Sequence, residues 1–403
     1  MSFCPVLSTQ SLFKIRGFWF TQSSALSTQS LFLRGIVNDE YWMRRVLSLA
    51  KKGAGRTTPN PMVGAVLVKD GRIVGEGFHR RAGEAHAEIV GLQRAGQEAR
   101  DSTLYINLEP CTHYGKTPPC APAVIEAGVK EAVIGMIDPN PVVRGNGVAA
   151  LEKAGIRVRT GTLEDECRRL NEAFCKYILT KEPFVILKVA ATLDGKMAAR
   201  DGDSKWISSE ASRRLVHRVR NEVDGVLVGI GTVLKDDPLL TARIPGGRDP
   251  YRIILDSHLR LPESCKVLTL PSDKTILVAT EMAPPEKVER LEKRGVHVLI
   301  VDSKEGKINL KTCLARLGDL GIMSVLVEGG NQVNGSFFDE GLVDKLLLFF
   351  SPRLLGDSQA PGIFGGKGVA HLAEATPLKD VRTRRIGGDV LIEGYVERGE
   401  NKP

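Results

Sequence analysis

The chain alternates between two hydrophobic periods, one helical and one extended, and that alternation predicts a layered α/β protein. "NDEYWMRRVLSLAKKG", from Asn38, carries Trp42, Val46, Leu49 and Ala50 on one stripe, which predicts a helix over Tyr41–Lys52. Val63–Lys69 is a short apolar run, Asp70-Gly71 a hairpin turn, and Arg72–Phe78 the partner strand. A helix from His86 and a strand "TLYINL" (103–108) follow. "TKEPF" (180–184) reads as a linker. Beyond it, apolar runs near 184–190, 225–229, 252–255, 275–279, 296–301, 323–328 and 345–350 predict strands with helices between most of them. "PPEKVERLEKRG" (284–295) is the clearest of these helices, with proline at its start and glycine just past its end. No repeat relates the halves. Two different α/β domains are expected, over residues 37–180 and 183–398.

Composition narrows the class without choosing a function. A chain of 403 residues is too long for one ordinary core. No apolar run is long enough to cross a bilayer, so no membrane partner is expected. Seven cysteines at irregular spacing, with no CxxC pair, argue against a disulfide framework and for reduced cytoplasmic thiols. The net charge of +8 suits phosphorylated small molecules and nucleic acid alike. The first 36 residues stand apart: they hold no Asp or Glu, and LSTQSLF occurs at 7–13 and again at 26–32. Acid-free, Ser-rich leaders can be transit peptides, but Lys14, Arg16 and Arg34 are few basic residues for one. A disordered leader or a misassigned start is expected, with Val37 as the alternative start.

Candidate chemistry begins at "HAEIVGLQRAG" (86–96). Taken alone, His86 and Glu88 suit an ordinary helix start, where acid favours the dipole. "EPCTHYGKTPPCAPAVIEAG" changes that. Cys111 follows Pro110 at a strand's exit, and Cys120 falls in the first turn of a helix that Thr117 is expected to cap, with Pro118 at its first position. Helix N-termini favour thiolates, as a metal requires. His86, Cys111 and Cys120 make three zinc ligands with a fourth position open, the arrangement of catalytic rather than structural sites. Glu88 then has a task, moving a proton between a zinc-activated water and a leaving amine. HxE, a distant PC and a further Cys match the signature of zinc-dependent nucleobase deaminases, although eight residues separate the two cysteines here instead of two.

That longer spacing, with "TTPNPMVGAVLVKDGRIVGEGFHRRAGEAHAE", resembles the deaminase half of the bacterial bifunctional deaminase–reductases of riboflavin biosynthesis. The resemblance runs from about Asn38 to the end of the chain. It implies an N-terminal cytidine-deaminase-like three-layer α/β/α domain with a mixed sheet. It also implies substrate contacts at Asn60, the His113–Thr117 loop (His113, Lys116, Thr117) and "DPNP" (138–141), with Lys116 as the phosphate cation.

The second half has three glycine-bearing strand exits: "LKVAATLDGKMAARDGDSKWIS" (187–208), "VGIGTVLKDDPLLTAR" (228–243) and "VLVEGGNQVNGSFF" (325–338). Such turns let backbone N–H groups approach phosphate at a helix start. None is GxGxxG, so a Rossmann reading fails. In this position they resemble the family's reductase half, which implies a dihydrofolate-reductase-like α/β domain that uses NADPH. Carried over by motif, cofactor contacts are expected at Ala190, Trp206, Thr232, Asp236 and the turn Gly330, Asn331, Gln332, Val333, Asn334, Gly335 and Ser336. Ser257, or Arg260, of "ILDSHLR" is expected at the 2′-phosphate. Substrate contacts are expected at Ser204, Arg220, Leu240, Arg243 and Glu328, with Arg220 and Arg243 as bidentate clamps for a sugar phosphate.

The resemblance implies two reactions: zinc-dependent deamination of 2,5-diamino-6-(5-phosphoribosylamino)pyrimidin-4-one, then NADPH-dependent reduction of the deaminated product at the ribosyl C1′. Zinc and NADPH are the expected cofactors and phosphorylated pyrimidines the expected partners, in a cytoplasmic homo-oligomer. No residue stands out as the reductase's proton donor. The alternative is a tRNA or DNA base deaminase with an accessory domain, which calls for aromatic stacking platforms. Aromatics are only 5% of the chain, and a second domain of this size would then lack a purpose, so no nucleic-acid partner is expected.

Overall fold

The computed structural model describes residues 38–115 and 117–397, together with the backbone of β1 (Phe13–Ile15) and β2 (Phe18–Phe20). These two strands pair antiparallel, Phe13 opposite Phe20. The rest of the leader lies outside the described residues.

The described chain divides into two compact units, one running to Lys52 and resuming over Met62–Leu170, the other comprising Gly53–Pro61 and the chain from Asn171. In the first, α1 (Asp39–Ala50) starts where Asn38 accepts the Tyr41 N–H at 3.0 Å, and it buries Trp42, Met43, Val46, Leu47, Leu49 and Ala50. Strands β3 (Gly64–Lys69), β4 (Arg72–Phe78), β5 (Thr103–Leu108), β6 (Glu131–Met136) and β7 (Arg157–Thr160) form one sheet in the order β4-β3-β5-β6-β7. β3 runs antiparallel to β4 and β5, and the remaining pairs are parallel, giving the expected mixed sheet. Helices α2 (Ala87–Ala95), α3 (Cys120–Glu126) and α4 (Asn146–Lys153) pack together on one face, and α1 and α5 (Glu164–Leu170) on the other. Three α/β/α layers result. Gly77 lets β4 approach the start of α2, since a Cβ there would meet the Ala87 carbonyl at 2.4 Å.

The second unit begins earlier than the linker predicts. Helix α6 (Glu172–Thr180) belongs to it because Glu172 bonds Lys345 at 2.9 Å and Lys176 bonds Asp344 at 2.7 Å. Segment Gly53–Pro61 joins it through Arg56 on the Gly246 carbonyl (2.8 Å) and Thr58 on Asp224 (2.7 Å). Its nine-stranded sheet has the order β12-β11-β10-β9-β15-β8-β16-β18-β17. The strands are β8 (Phe184–Thr192), β9 (Gly225–Gly229), β10 (Tyr251–Leu255), β11 (Thr275–Ala279), β12 (His297–Ile300), β15 (Ser324–Val327), β16 (Lys345–Ser351), β17 (Leu378–Ile386) and β18 (Asp389–Val396). Seven are parallel, as their connections through helices α7 (Glu210–Glu222), α8 (Ile230–Asp236), α9 (Pro285–Lys293), α10 (Leu310–Asp319) and α11 (Asn331–Asp339) require, and the β17–β18 hairpin adds an antiparallel edge. A small hairpin, β13 (Ser303–Lys304) with β14 (Lys307–Ile308), stands outside the sheet. The strands predicted at 225–229 and 275–279 match β9 and β11.

Candidate active sites

His86, Cys111 and Cys120 converge although α2, the loop after β5 and α3 carry them separately. Each offers one ligand atom, and the three atoms lie within 4.8 Å of one another. His86 Nδ1 sits 3.2 Å from Cys120 Sγ and 3.7 Å from Cys111 Sγ. The Cys111 carbonyl accepts the N–H groups of Cys120 and Ala121 at 3.0 and 3.1 Å, which ties the two thiol-bearing segments together. Helix α3 starts at Cys120 with Pro119 as its cap residue. Thr117 is therefore not the cap, and its hydroxyl lies 3.3 Å from His86 Nε2, where it orients the ring. One imidazole nitrogen and two sulfurs form the donor set zinc prefers, and the residues fit the metal.

Glu88 lies two residues after His86, in the first turn of α2, and is 3% exposed. Burial raises its carboxyl pKa, against the pull of His86, and its Oε2 has no partner among the described residues. Such a carboxyl is free to take and return a proton. The Cys120 thiol, hydrogen-bonded to Cys111, and the neighbouring His86 hold Cys111 well below the ordinary thiol range, while the same bond and burial push Cys120 up.

The remaining residues predicted for this site scatter. His113 is exposed beside Asp138, whose carboxyl is raised chiefly by burial and also feels Glu109, His113 and Cys111. Asn60 lies in the segment Gly53–Pro61 that packs with the second unit. Lys116 falls outside the described residues.

The second unit holds a cavity of about 1870 Å³ at the C-terminal ends of its parallel strands. Of the predicted cofactor residues, Ala190, Trp206, Thr232, Asp236, Ser257, Gly330, Asn331, Gln332, Val333 and Ser336 line it. All five predicted substrate residues, Ser204, Arg220, Leu240, Arg243 and Glu328, line it too. Asn334 and Gly335 do not, which corrects the reading of that turn as one continuous contact surface. Helix α11 (Asn331–Asp339) rotates them inward: Asn334 bonds the Ile363 carbonyl at 3.1 Å, and Gly335 rests on the Gly365-Gly366 backbone. Two helices, α8 (Ile230–Asp236) and α11, start on the cavity wall at Gly229 and Gly330 without side-chain caps. Their uncapped N–H groups suit a pyrophosphate, and the volume admits a dinucleotide beside a second ligand, so the residues fit NADPH.

Arg220 departs from its predicted role. Its Nε and Nη2 donate to Glu328 at 2.6 and 3.1 Å, and its Nη1 donates to the Thr241 carbonyl at 3.1 Å. The fork expected to clamp a phosphate holds a carboxylate instead. Burial alone would raise Glu328, but Arg220 and Lys188 hold it at about 2. Burial lowers Lys188, which lies 3.7 Å from Glu328. Burial, with Arg220 and Arg243, lowers His217. Lys188 and His217 also line the cavity, and the sequence reading missed both. A single lysine inside the apolar run "FVILKVAAT" was the available signal for Lys188. Leu240 and Arg243 sit at φ 55° and 52°, a strained pair held by Arg220 on Thr241 and by Asp249, which accepts the Ala242 N–H at 2.8 Å.

Fold and sites together define the class: a zinc-dependent deaminase joined in one chain to an NADPH-dependent reductase. The family model of the RibD C-terminal domain matches residues 183–392, and that of the cytidine and deoxycytidylate deaminase zinc-binding region matches residues 36–136. The chain is 45% identical over 355 residues to riboflavin biosynthesis protein RibD of Aquifex aeolicus, covering 88% of this chain and 97% of that protein. It is 40% identical over 369 residues to the RibD of Escherichia coli, covering 88% and 99%. Among solved structures, Acinetobacter baumannii RibD superposes with a TM-score of 0.81 at 38% identity, over 89% of this chain and 99% of that one. The diaminohydroxyphosphoribosylaminopyrimidine deaminase/5-amino-6-(5-phosphoribosylamino)uracil reductase of Thermotoga maritima gives 0.77 at 39% identity, with the same coverage. The chain belongs to the RibD family: it is a bifunctional deaminase and reductase of riboflavin biosynthesis with zinc and NADPH as cofactors.

Proposed function

We propose that the first unit deaminates 2,5-diamino-6-(5-phosphoribosylamino)pyrimidin-4-one at C2 and that the second reduces 5-amino-6-(5-phosphoribosylamino)uracil at C1′. The observation that carries this reading is the His86–Cys111–Cys120 cluster with Glu88 beside it, whose Oε2 has no partner among the described residues, in a unit separate from the NADPH cavity. His86, Cys111 and Cys120 hold zinc, which when bound supplies Lewis acidity that brings a water's pKa toward neutrality. Glu88 accepts a proton from the attacking water and returns it to the departing amine, so that the water's oxygen stays on C2 as the carbonyl and the amino group leaves as ammonia. The Asp138–Pro141 turn, His113, Lys116 and Thr117 contact the substrate, with Lys116 on its phosphate.

In the second unit the cavity would hold NADPH, which when bound would supply the hydride for reduction at C1′. Residues Ala190, Trp206, Thr232, Asp236 and Ser257, with Gly330–Val333 and Ser336, hold the cofactor. Arg243 has no carboxylate partner among the described residues and takes the substrate phosphate, while the Glu328–Arg220 pair with Lys188 faces the ribosyl hydroxyls. Ser204 and Leu240 complete the substrate wall. The working form is a cytoplasmic homo-oligomer without a nucleic-acid partner. Supporting this are the sparse aromatics and the long exposed edge strand β17, a surface open to a second copy. Among the described residues, no helix is long and apolar enough to cross a membrane. The diaminopyrimidine phosphate, supplied with and without NADPH, tests the whole reading. Ammonia release is expected in both cases and NADPH oxidation only after deamination; ammonia release that requires NADPH overturns it.

A further inference from the structure

Glu109 stands between the last residue of β5 and the ligand-bearing Pro110-Cys111 step, and it is 5% exposed. A carboxylate removed from water needs donors, and among the described residues no cation supplies them. Four backbone N–H groups do. Oε2 accepts from Asp138 at 3.1 Å and from Gly145 at 3.0 Å, while Oε1 accepts from Gly147 at 2.7 Å and from Val148 at 3.2 Å. Two of those donors, Gly147 and Val148, are first-turn amides of α4 and a third, Gly145, is its cap residue, which offers no side-chain cap, so the anion also meets the positive end of that helix. The fourth opens the Asp138–Pro141 turn, and Asp138 in turn accepts the Asn140 N–H at 2.8 Å. Gly147 fits the same arrangement, because a Cβ there would meet the Pro110 carbonyl at 2.1 Å and Glu109 Cγ at 2.9 Å. Both ends of the segment 138–148 are thus fastened to one side chain two residues from a zinc ligand.

We infer that Glu109 is a positioning residue for deamination. It clamps the Asp138–Pro141 turn and the start of α4 against the Cys111 step, and so sets where the pyrimidine rests relative to Glu88. The inference rests on the reading that the Asp138–Pro141 turn meets the substrate. Glu109 bonds no metal ligand side chain and approaches no reacting atom, so its effect falls on substrate binding more than on proton transfer.

The test uses the full chain as Glu109→Gln and, separately, as Asp138→Ala. Measured for each are zinc per chain, deaminase KM and kcat, reduction of the supplied deaminated pyrimidine, and amide exchange over residues 138–148. A glutamine turns an NH2 toward two of the four N–H donors, so exchange in that segment quickens. Zinc content and the reductase rate stay at the parent's values, and the deaminase KM rises at least about tenfold while kcat changes by less than about threefold. Loss of zinc, an unchanged KM, or a loss confined to kcat overturns the proposal. If Asp138→Ala raises KM while Glu109→Gln does not, the clamp is wrong and the substrate-facing turn stands. If Asp138→Ala leaves KM unchanged, the reading of the turn fails and the proposal falls with it. Should Glu109→Gln also lose the reductase rate, Glu109→Asp, one methylene shorter, is read against the same outcomes.

Discussion

Arg220 and Glu328, separated by 108 residues, form a bidentate pair at 2.6 and 3.1 Å on the wall of the reductase cavity. Both side chains are largely withdrawn from solvent, at 12% and 9% exposure, and Lys188 lies 3.7 Å from Glu328. Burial would raise Glu328, but the two cations overcome it and bring the carboxyl from 4.5 to about 2. A folded pKa below the unfolded one contributes stability that is present above pH 4.5 and lost as pH falls from there toward 2. The contribution is at most about 3 kcal/mol. Urea denaturation of the parent and of Glu328→Gln should therefore differ most near neutrality and converge between pH 4.5 and 2. A gap that stays constant across that range would show that Glu328 is not ionised by its neighbours.

Glu88→Gln should retain zinc and lose deamination by roughly 10² to 10⁴-fold. The amide preserves shape and burial, and Glu88 is not among the three clustered ligands. Metal analysis with an ammonia-release assay checks this. Zinc lost from the variant, or near-normal turnover, assigns Glu88 elsewhere.

Local pattern carried the zinc site, because His86, Cys111 and Cys120 each mark their own element's start or exit in the sequence. It failed where partners are distant. Arg220 reads as an available clamp until Glu328 is placed against it, and Asn334 and Gly335 read as part of a phosphate turn until the rotation of α11 is known. Edge strand β17 also escaped prediction. "LKDVRTRRI" is exposed on both faces nearly throughout, so no alternation of apolar and polar residues betrays it. Its partner β18 has an irregular inward face, and the Gly387-Gly388 turn was the one local signal of a hairpin.

Gly335→Ala should destabilise the reductase unit by about 1–3 kcal/mol, the usual range for overpacking. Its Cβ would lie 2.3 Å from the Gly366 nitrogen and 2.7 Å from the Gly365 carbonyl carbon, backbone atoms that cannot swing aside as a side chain can. Gly365 and Gly366 line the cavity, so NADPH affinity should fall along with the melting temperature while zinc content holds. An unchanged melting temperature would mean that this loop yields freely.

The two active sites should fail independently. All three zinc ligands and Glu88 belong to the first unit, and every residue of the reductase cavity belongs to the second. Cys111→Ser removes one of two sulfur ligands, so zinc and ammonia release should be lost together. NADPH oxidation should continue at the parent's rate when the deaminated pyrimidine is supplied, because no step of reduction draws on the Cys111 cluster. Arg243→Ala should do the reverse. Deamination persists, and reduction weakens by about 1.5–3 kcal/mol, the range of a charged hydrogen bond, which corresponds to roughly 10- to 150-fold in kcat/KM. The loss should appear mainly in KM if Arg243 holds the substrate phosphate, a group remote from C1′. A folded Cys111→Ser protein that cannot reduce the supplied intermediate would mean that the two chemistries share one site.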